Sequence, residues 1–526
     1  MALPPTRFWR YGAAIAVCAL VYFGVTKLIL QIPLKDIGIG WPLWLPAGLA
    51  QSVLILYGQR MLPGIALGAL FIPLLSGYGF WFSAVSAVND ALQAWFGVAL
   101  LRRYRFNPRL EQLPDVIKLF VLSAIIPAGF SASVGVLKLC LLGKLCQQGF
   151  SWVQWSSIWF KWWIGNVTGV LTLVPVLLTI GQWRTIAHSP RKLMEASLWL
   201  GSLLITSWFV FYSPLRLQIA PYPLEYVPFP FIIWGALRFG QAGAALAIAL
   251  VTNLATWGVV QGVSPFLRGS GDTVQAVGSL QAYICILALT ALILAAIMAE
   301  LQEAKKRSEN LLLKILPSPI AERLKIEHQT IADSFPEVTV LFADIVDFTP
   351  LSASLSPQEL VALLNEIFST FDYLAEKHGL EKIKTIGDAY MVVGGIPEHK
   401  DDHAQAVAEM ALDIRTAIAN FSSHHRQTFE IRIGINTGPV VAGVIGTKKF
   451  LYDLWGDTVN IASRMESQGV KGQIQVTGTT YAALAQDYEF EERGKIQVRG
   501  RGEMMTYFLK SRKTYSYENL SYSKVS

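Results

Sequence analysis

Charge is what this chain has least of: 15% of its 526 residues are Asp, Glu, Lys or Arg, against 53% that are hydrophobic. Soluble domains carry about a quarter charged residues, so a wholly water-soluble protein is excluded. A single domain is excluded by length. Cysteine is scarce as well. Cys18, Cys140 and Cys285 lie in or beside apolar segments, Cys146 follows closely, and the C-terminal half has none. That pattern excludes a disulfide framework or a Cys/His metal cluster as the organising device. The formal net charge of +7 sits largely in short loops between apolar runs. Basic residues placed there orient helices in a bilayer, so no nucleic-acid partner is expected.

The apolar residues concentrate before about Glu300, where mean hydropathy is far above that of the remainder. Segments of roughly spanning length lie at 11–31, 41–58, 61–77, 80–101, 116–140, 157–180, 194–213, 224–260 and 279–299. The eighth is long enough to be two. The basic sets Arg7/Arg10, Arg60, Arg102/Arg103/Arg105/Arg109, Arg184/Arg191/Lys192 and Lys305/Lys306/Arg307 all fall on one side if both termini are cytoplasmic. Eight to ten spans follow. Asn89 and Asp90 lie mid-segment, where polar groups are costly and mark either a helix-to-helix hydrogen bond or a ligand or proton site. The tryptophans at 152, 155, 159, 162 and 163 read as an aromatic belt or a pocket lining, and Lys138 and Lys161 as side chains snorkelling to the surface.

After the last span, Ile297, Leu301, Ala304, Ser308, Leu311 and Ile315 recur at intervals of four and three, the spacing of a short coiled-coil seam. Pro317 and Pro319 end it. Beyond, strands are expected at 337–344, 381–386, 389–395, 430–436, 474–477 and 504–510, and helices at 357–378, 401–420 and 457–466. In this α+β order Asp344 ends the first strand, and Gly387-Asp388 turns between the next two. Neighbouring strands would bring the two carboxylates together as ligands for hard divalent cations that handle phosphate. His399, Asp401, Asp402 and His403 read as a solvated helix start rather than a metal cluster. Gly443–Lys449 lacks the spacing of a phosphate loop and reads as a hairpin.

Trp44-Leu-Pro-Ala-Gly-Leu49, Trp163-Ile-Gly-Asn-Val-Thr-Gly169 and Phe229–Gly240 resemble the first type of bacterial membrane-associated sensor domain. Phe342-Ala-Asp-Ile-Val-Asp-Phe-Thr349, Lys382–Tyr390, Gly434-Ile-Asn-Thr-Gly438 and Tyr452–Arg464 resemble the class III nucleotide cyclases. Together they imply a polytopic α-helical membrane sensor domain (1–299), a signalling helix and linker (300–333) and an α+β ferredoxin-like cyclase domain (334–512). A flexible tail (513–526) follows, and the catalytic domain lies on the cytoplasmic side of the inner membrane. The stimulus is unassigned.

The cyclase resemblance also implies roles. Asp344, Asp388 and the backbone carbonyl of Ile345 would hold two Mg²⁺ or Mn²⁺ ions. The backbone at Phe348 and Thr349 would bind phosphate, Asn460 the ribose, Arg464 the α-phosphoryl group and Arg501 the terminal phosphates. Arg501 departs from the lysine frequent at its position, and Asp347 stands where many relatives have glycine. Lys384 can donate to adenine N1 and Asp453 accept from N6, whereas guanine reverses both demands. The implied activity is conversion of ATP to cyclic AMP and pyrophosphate by a homodimer, joined through the catalytic domain and signalling helix, whose sites combine residues of both chains. A guanylate cyclase, or a receptor or transporter with a nucleotide-binding but inactive domain, are the competing readings.

Overall fold

The computed structural model describes residues 5–31, 41–141, 151–183, 188–212, 223–267, 273–326, 331–425, 429–446 and 450–513. Cys146, Arg184, residues 447–449 of the expected hairpin and the tail from Thr514 lie outside them. The chain divides into two compact units, Met1–Lys305 and Lys306–Ser526.

The first unit is helical: α1 (Pro5–Leu30), α2 (Leu45–Tyr57), α3 (Leu62–Leu75), α4 (Phe80–Arg103), α5 (Leu113–Leu141), α6 (Trp152–Thr179), α7 (Pro190–Tyr212), α8 (Phe229–Val260) and α9 (Thr273–Leu313). Each of the nine apolar segments forms one. Among the described residues seven are long and apolar enough to cross a membrane, fewer than the eight to ten expected. The shortfall is α2 and α3. Pro46 and Pro63 fix their starts, while Gly58 (φ 87°) and Gly77 (φ 82°) end them in a conformation that helices cannot continue. The eighth segment is broken at Gly240 (φ 58°, ψ −142°), so α8 is two helices across a kink.

Two expectations for this unit change. Lys138 does not snorkel: it is 7% exposed, donates to Ser86 Oγ at 2.6 Å and sits 4.1 Å over the Phe82 ring. Cys140 is disulfide-bonded, although the sequence pattern argued against disulfides. Trp155, Trp159 and Trp163 stack along α6, centroids 6.3 and 5.6 Å apart, and Trp152 meets Trp155 edge-on at 5.9 Å. Asn89 Nδ2 donates to Ser131 Oγ on α5 at 2.9 Å, the helix-to-helix bond, and Asp90 accepts from the Tyr22 hydroxyl at 2.9 Å.

The second unit holds α10 (Ser318–Ile326), β1 (Ala332–Ile345), α11 (Phe348–Ser354), α12 (Pro357–Lys377), β2 (Glu381–Ile386), β3 (Ala389–Gly394), α13 (His403–His425) and β4 (Ile431–Ile445). There follow β5 (Leu451–Trp455), α14 (Asp457–Ser467), β6 (Ile474–Thr477), α15 (Gly478–Leu484), β7 (Tyr488–Val498) and β8 (Gly502–Arg512). The sheet runs β2-β3-β1-β4-β6-β8-β7, with β5 added to β4. Its first four strands, with α12 and α13 between them, make the ferredoxin-like core.

Both faces of β1 are buried, so it reads as a continuous apolar run rather than an alternation. Leu341, Ala343 and Ile345 pack with Phe371 of α12 and Met410 and Ile414 of α13. Val338, Val340 and Phe342 face the other way, with Ile320 of α10 and Ala462 of α14. A capping box at Ser356 and Glu359 fixes the start of α12. β5 and β7 are strands the pattern did not predict, and β1 and β4 are longer than expected. Pro336 falls at the register shift between Phe335 and Val338, where β1 tolerates its missing N–H.

Candidate active site

Asp344 and Asp388 come together through strand register. Asp344 pairs with Ala389, the first residue of β3, and Asp388 precedes it in the turn opened by Gly387 (φ 63°). Burial, and then the adjacent Asp344, push the Asp388 carboxyl above its ordinary range. Two acids crowded in this way fit a divalent cation, which would relieve their repulsion. Ile345 turns its side chain into the core and can contribute only backbone.

Two residues of this cluster were not anticipated. Arg432 of β4 stands opposite Asp344 and donates to its Oδ2 at 2.7 Å. Its Nε lies 3.2 Å from Glu466 Oε1, an ion pair without hydrogen-bond geometry. Burial, followed by the Asp344 charge, raises the Glu466 carboxyl to about 7. In sequence Arg432 is one polar residue in Ile431-Arg-Ile-Gly434, and the strand period alone puts it on the face away from Ile431 and Ile433. Its meeting with Asp344 needs the β1–β4 register.

Helix α14 lies directly on β4. A Cβ on Gly434 would fall 2.0 Å from the Glu466 nitrogen, and one on Gly438 would fall 2.7 Å from Thr458 Oγ1. These glycines therefore allow the helix to approach. Glu466, Met465 and Ala462 face the sheet, whereas Asn460 and Arg464 are exposed. At about 100° per residue, Arg464 points roughly 160° away from Glu466. One chain thus presents the acids on one side of α14 and Asn460 with Arg464 on the other.

Lys384 of β2 and Asp453 of β5 form an ion pair within one chain, and Asp453 Oδ1 also accepts from the Leu454 N–H at 2.9 Å. Phe348 begins α11 and packs against the core; Thr349 follows within the same helix. Asp347 before them is left-handed (φ 56°, ψ 30°), a conformation that glycine adopts most freely, and its carboxylate meets Lys471 Nζ at 2.6 Å. Arg501, in the β7–β8 turn, pairs with Asp457 at the start of α14.

The His399–His403 group is not a metal cluster among the described residues. His399 and Asp401 are exposed, but His403 is buried and shares a hydrogen bond of 2.8 Å with Thr339 Oγ1. Burial lowers its pKa. It is a core residue, not part of a solvated helix start.

Residues 13–302 match the family model described as MASE1, and residues 330–511 that described as the adenylate and guanylate cyclase catalytic domain. A Mycobacterium tuberculosis protein named adenylate cyclase is 49% identical over 216 residues, 41% of this chain and 49% of the relative. The rat guanylate cyclase soluble subunit beta-2 is 44% identical over 207 residues, 39% of this chain and 30% of its own length. The chain thus matches about half the length, or less, of these curated relatives. Among solved structures, the adenylyl cyclase CyaB from P. aeruginosa is 30% identical, with 36% of this chain and 99% of that chain covered and a TM-score of 0.33. The guanylate cyclase domain of RhGC from Catenaria anguillulae is 40% identical, with 34% and 100% covered and a TM-score of 0.34.

Proposed function

Because the chain belongs to the MASE1 family and carries an adenylate and guanylate cyclase catalytic domain, we propose that it is a membrane-anchored adenylate cyclase. It converts ATP to 3′,5′-cyclic AMP and pyrophosphate under control of its membrane domain. The observation that carries the reading is the placement of Asp344 beside Asp388 at the ends of adjoining strands.

These two acids, with the backbone of Ile345, would hold two Mg²⁺ or Mn²⁺ ions, which supply Lewis acidity toward the ribose 3′-hydroxyl and the triphosphate. Arg464 offers a planar, always charged group to the α-phosphoryl oxygens, where negative charge grows during in-line displacement. Asn460 orients the ribose. Phe348 and Thr349 offer backbone to phosphate, and Arg501 its charge to the terminal phosphates. Lys384 donates to adenine N1 and Asp453 accepts from N6. In the free chain these two neutralise one another, so adenine must enter between them.

The functional unit is a homodimer. Asn460 and Arg464 point away from the acids of their own chain, so each site takes Asp344 and Asp388 from one copy and the base-, ribose- and phosphoryl-binding residues from the other. The exposed apolar residues Ile297, Leu301, Leu311 and Ile315 (44 to 65% exposed) support a second contact between copies along the connector. The side carrying Arg60 and Arg102–Arg109 is cytoplasmic by the positive-inside rule, and Glu300 accepts from the Leu113 N–H on that side at 2.9 Å, which supports a catalytic domain on the cytoplasmic face of the inner membrane.

The similarity to a guanylate cyclase subunit favours a second reading, with GTP as substrate. Purified protein assayed with Mg²⁺ or Mn²⁺, with ATP beside GTP and with Asp344→Ala as control, decides among the three readings. Cyclic AMP formation that Asp344→Ala abolishes is the expected result. Preferred use of GTP would overturn the base assignment, and nucleotide binding without either product would leave a receptor with an inactive domain.

A further inference from the structure

The membrane domain contains a cavity of about 630 Å³. Its lining comes from one end of six helices: the C-terminal ends of α1, α3 and α5 and the N-terminal ends of α2, α4 and α6. The loops at the other end carry Arg60 and the cluster Arg102, Arg103, Arg105 and Arg109. By the positive-inside rule the cavity therefore opens away from the cytoplasm. The disulfide at Cys140, two residues beyond Lys138 in the wall, belongs to the same oxidising side.

Its polar groups are of both signs. Asn89 is 2% exposed and its Oδ1 has no hydrogen-bond partner, while its Nδ2 is committed to Ser131. A buried acceptor left in that state can take a donor from a ligand. Asp90 beside it spends one oxygen on Tyr22. Lys161 also lines the cavity and has no ion-pair or hydrogen-bond partner among the described residues, whereas Lys138 is held by Ser86 and Phe82 and its charge acts on Asp90. Trp44 and Trp162 supply apolar wall.

The geometry points to a binding site for a small zwitterion of the amino-acid class with an apolar or aromatic body. Its ammonium group donates to Asn89 Oδ1 and Asp90, its carboxylate meets Lys161, and its side chain lies on Trp44 and Trp162. Such a site is common to ligands arriving free or released from short peptides. It rests on the membrane domain alone and stands whether or not the catalytic reading does.

The test is calorimetric titration of the full-length protein in lipid nanodiscs, without nucleotide, using L-phenylalanine, L-tyrosine and L-leucine. The single-charge analogues 3-phenylpropionate and 2-phenylethylamine are titrated beside them. At least one amino acid is expected to bind saturably, with both analogues and the Lys161→Met variant weaker by about 30-fold or more. Lys161 makes no ion pair or hydrogen bond among the described residues, and an unchanged melting temperature of the ligand-free variant separates lost binding from lost folding. No saturable binding of any of the three amino acids, equal affinity for either analogue, or unaltered binding to Lys161→Met would overturn the proposal.

Discussion

Arg432 donates to Asp344 at 2.7 Å from the strand position directly opposite it. It is the cation that compensates a cluster of three acids, Asp344, Asp388 and Glu466. Removing it would leave buried like charges unpaired, at a cost of about 3 to 5 kcal/mol. Arg432→Ala should therefore melt well below the unmodified protein in a chelator and recover much of the loss in millimolar Mn²⁺. Equal melting under both conditions would show that no metal replaces the guanidinium.

Mixing Asp344→Ala and Arg464→Ala chains should restore activity that neither has alone. Random pairing gives about half heterodimers, each with one intact site of two, so about a quarter of full activity is expected. Cyclic AMP measured on the mixture checks this, and a mixture as inactive as its components would place both residues in the same chain's site.

In the proposed site, base choice rests on Lys384 and Asp453, which form an ion pair. Each mispaired buried group costs about 1 to 3 kcal/mol, so two together give a preference of roughly 30-fold to 10⁴-fold. The double change Lys384→Glu and Asp453→Cys should carry kcat/KM toward GTP by a comparable factor. An unaltered ATP to GTP ratio would mean that the base is read elsewhere.

Asp347 holds a left-handed backbone and an exposed pair with Lys471 (side chains 70% and 51% exposed). An exposed pair contributes about 0 to 1 kcal/mol, and glycine relieves a conformation that disfavours other residues, so Asp347→Gly should leave stability within about 1 kcal/mol. It also removes a negative charge close to the proposed phosphate-binding backbone. A lower KM for ATP at unchanged kcat is expected, and a raised KM would show that the Asp347–Lys471 pair helps to bind substrate.

Burial raises the Glu381 carboxyl from 4.5 to about 7. The neutral form is favoured in the fold, so its stabilising contribution is complete below about pH 4.5 and is lost as pH rises through 7. Glu381→Gln should accordingly raise the melting temperature at pH 8, by the equivalent of about 1 to 3 kcal/mol, and change it little at pH 5. A shift of equal size at both pH values would remove burial of the charge as the cause.

The carboxylate pair was legible because Asp344 ends an apolar run and Gly387-Asp388 is an unambiguous turn. Arg432 and Glu466 were not, since their role arises from pairing of β1 with β4 and from the approach of α14 over Gly434, neither of which is local. β7 escaped because Tyr488–Val498 is rich in Glu, Arg and Lys, a composition that protects an edge strand but opposes strand propensity. β4 is expected to stop at 436, before Gly438-Pro439, whereas the strand continues to Ile445. Lys138 was misread because sequence cannot show that Ser86 and Phe82 wait for it one helix away.

Helix α9 runs 41 residues without interruption from Thr273 to Leu313, roughly 60 Å at about 1.5 Å per residue, or twice the thickness of a bilayer's hydrocarbon. No proline or glycine after Gly278 gives it a joint. Within the first unit, which ends at Lys305, a turn imposed at the start of this helix meets no joint at which it could be lost before Leu301.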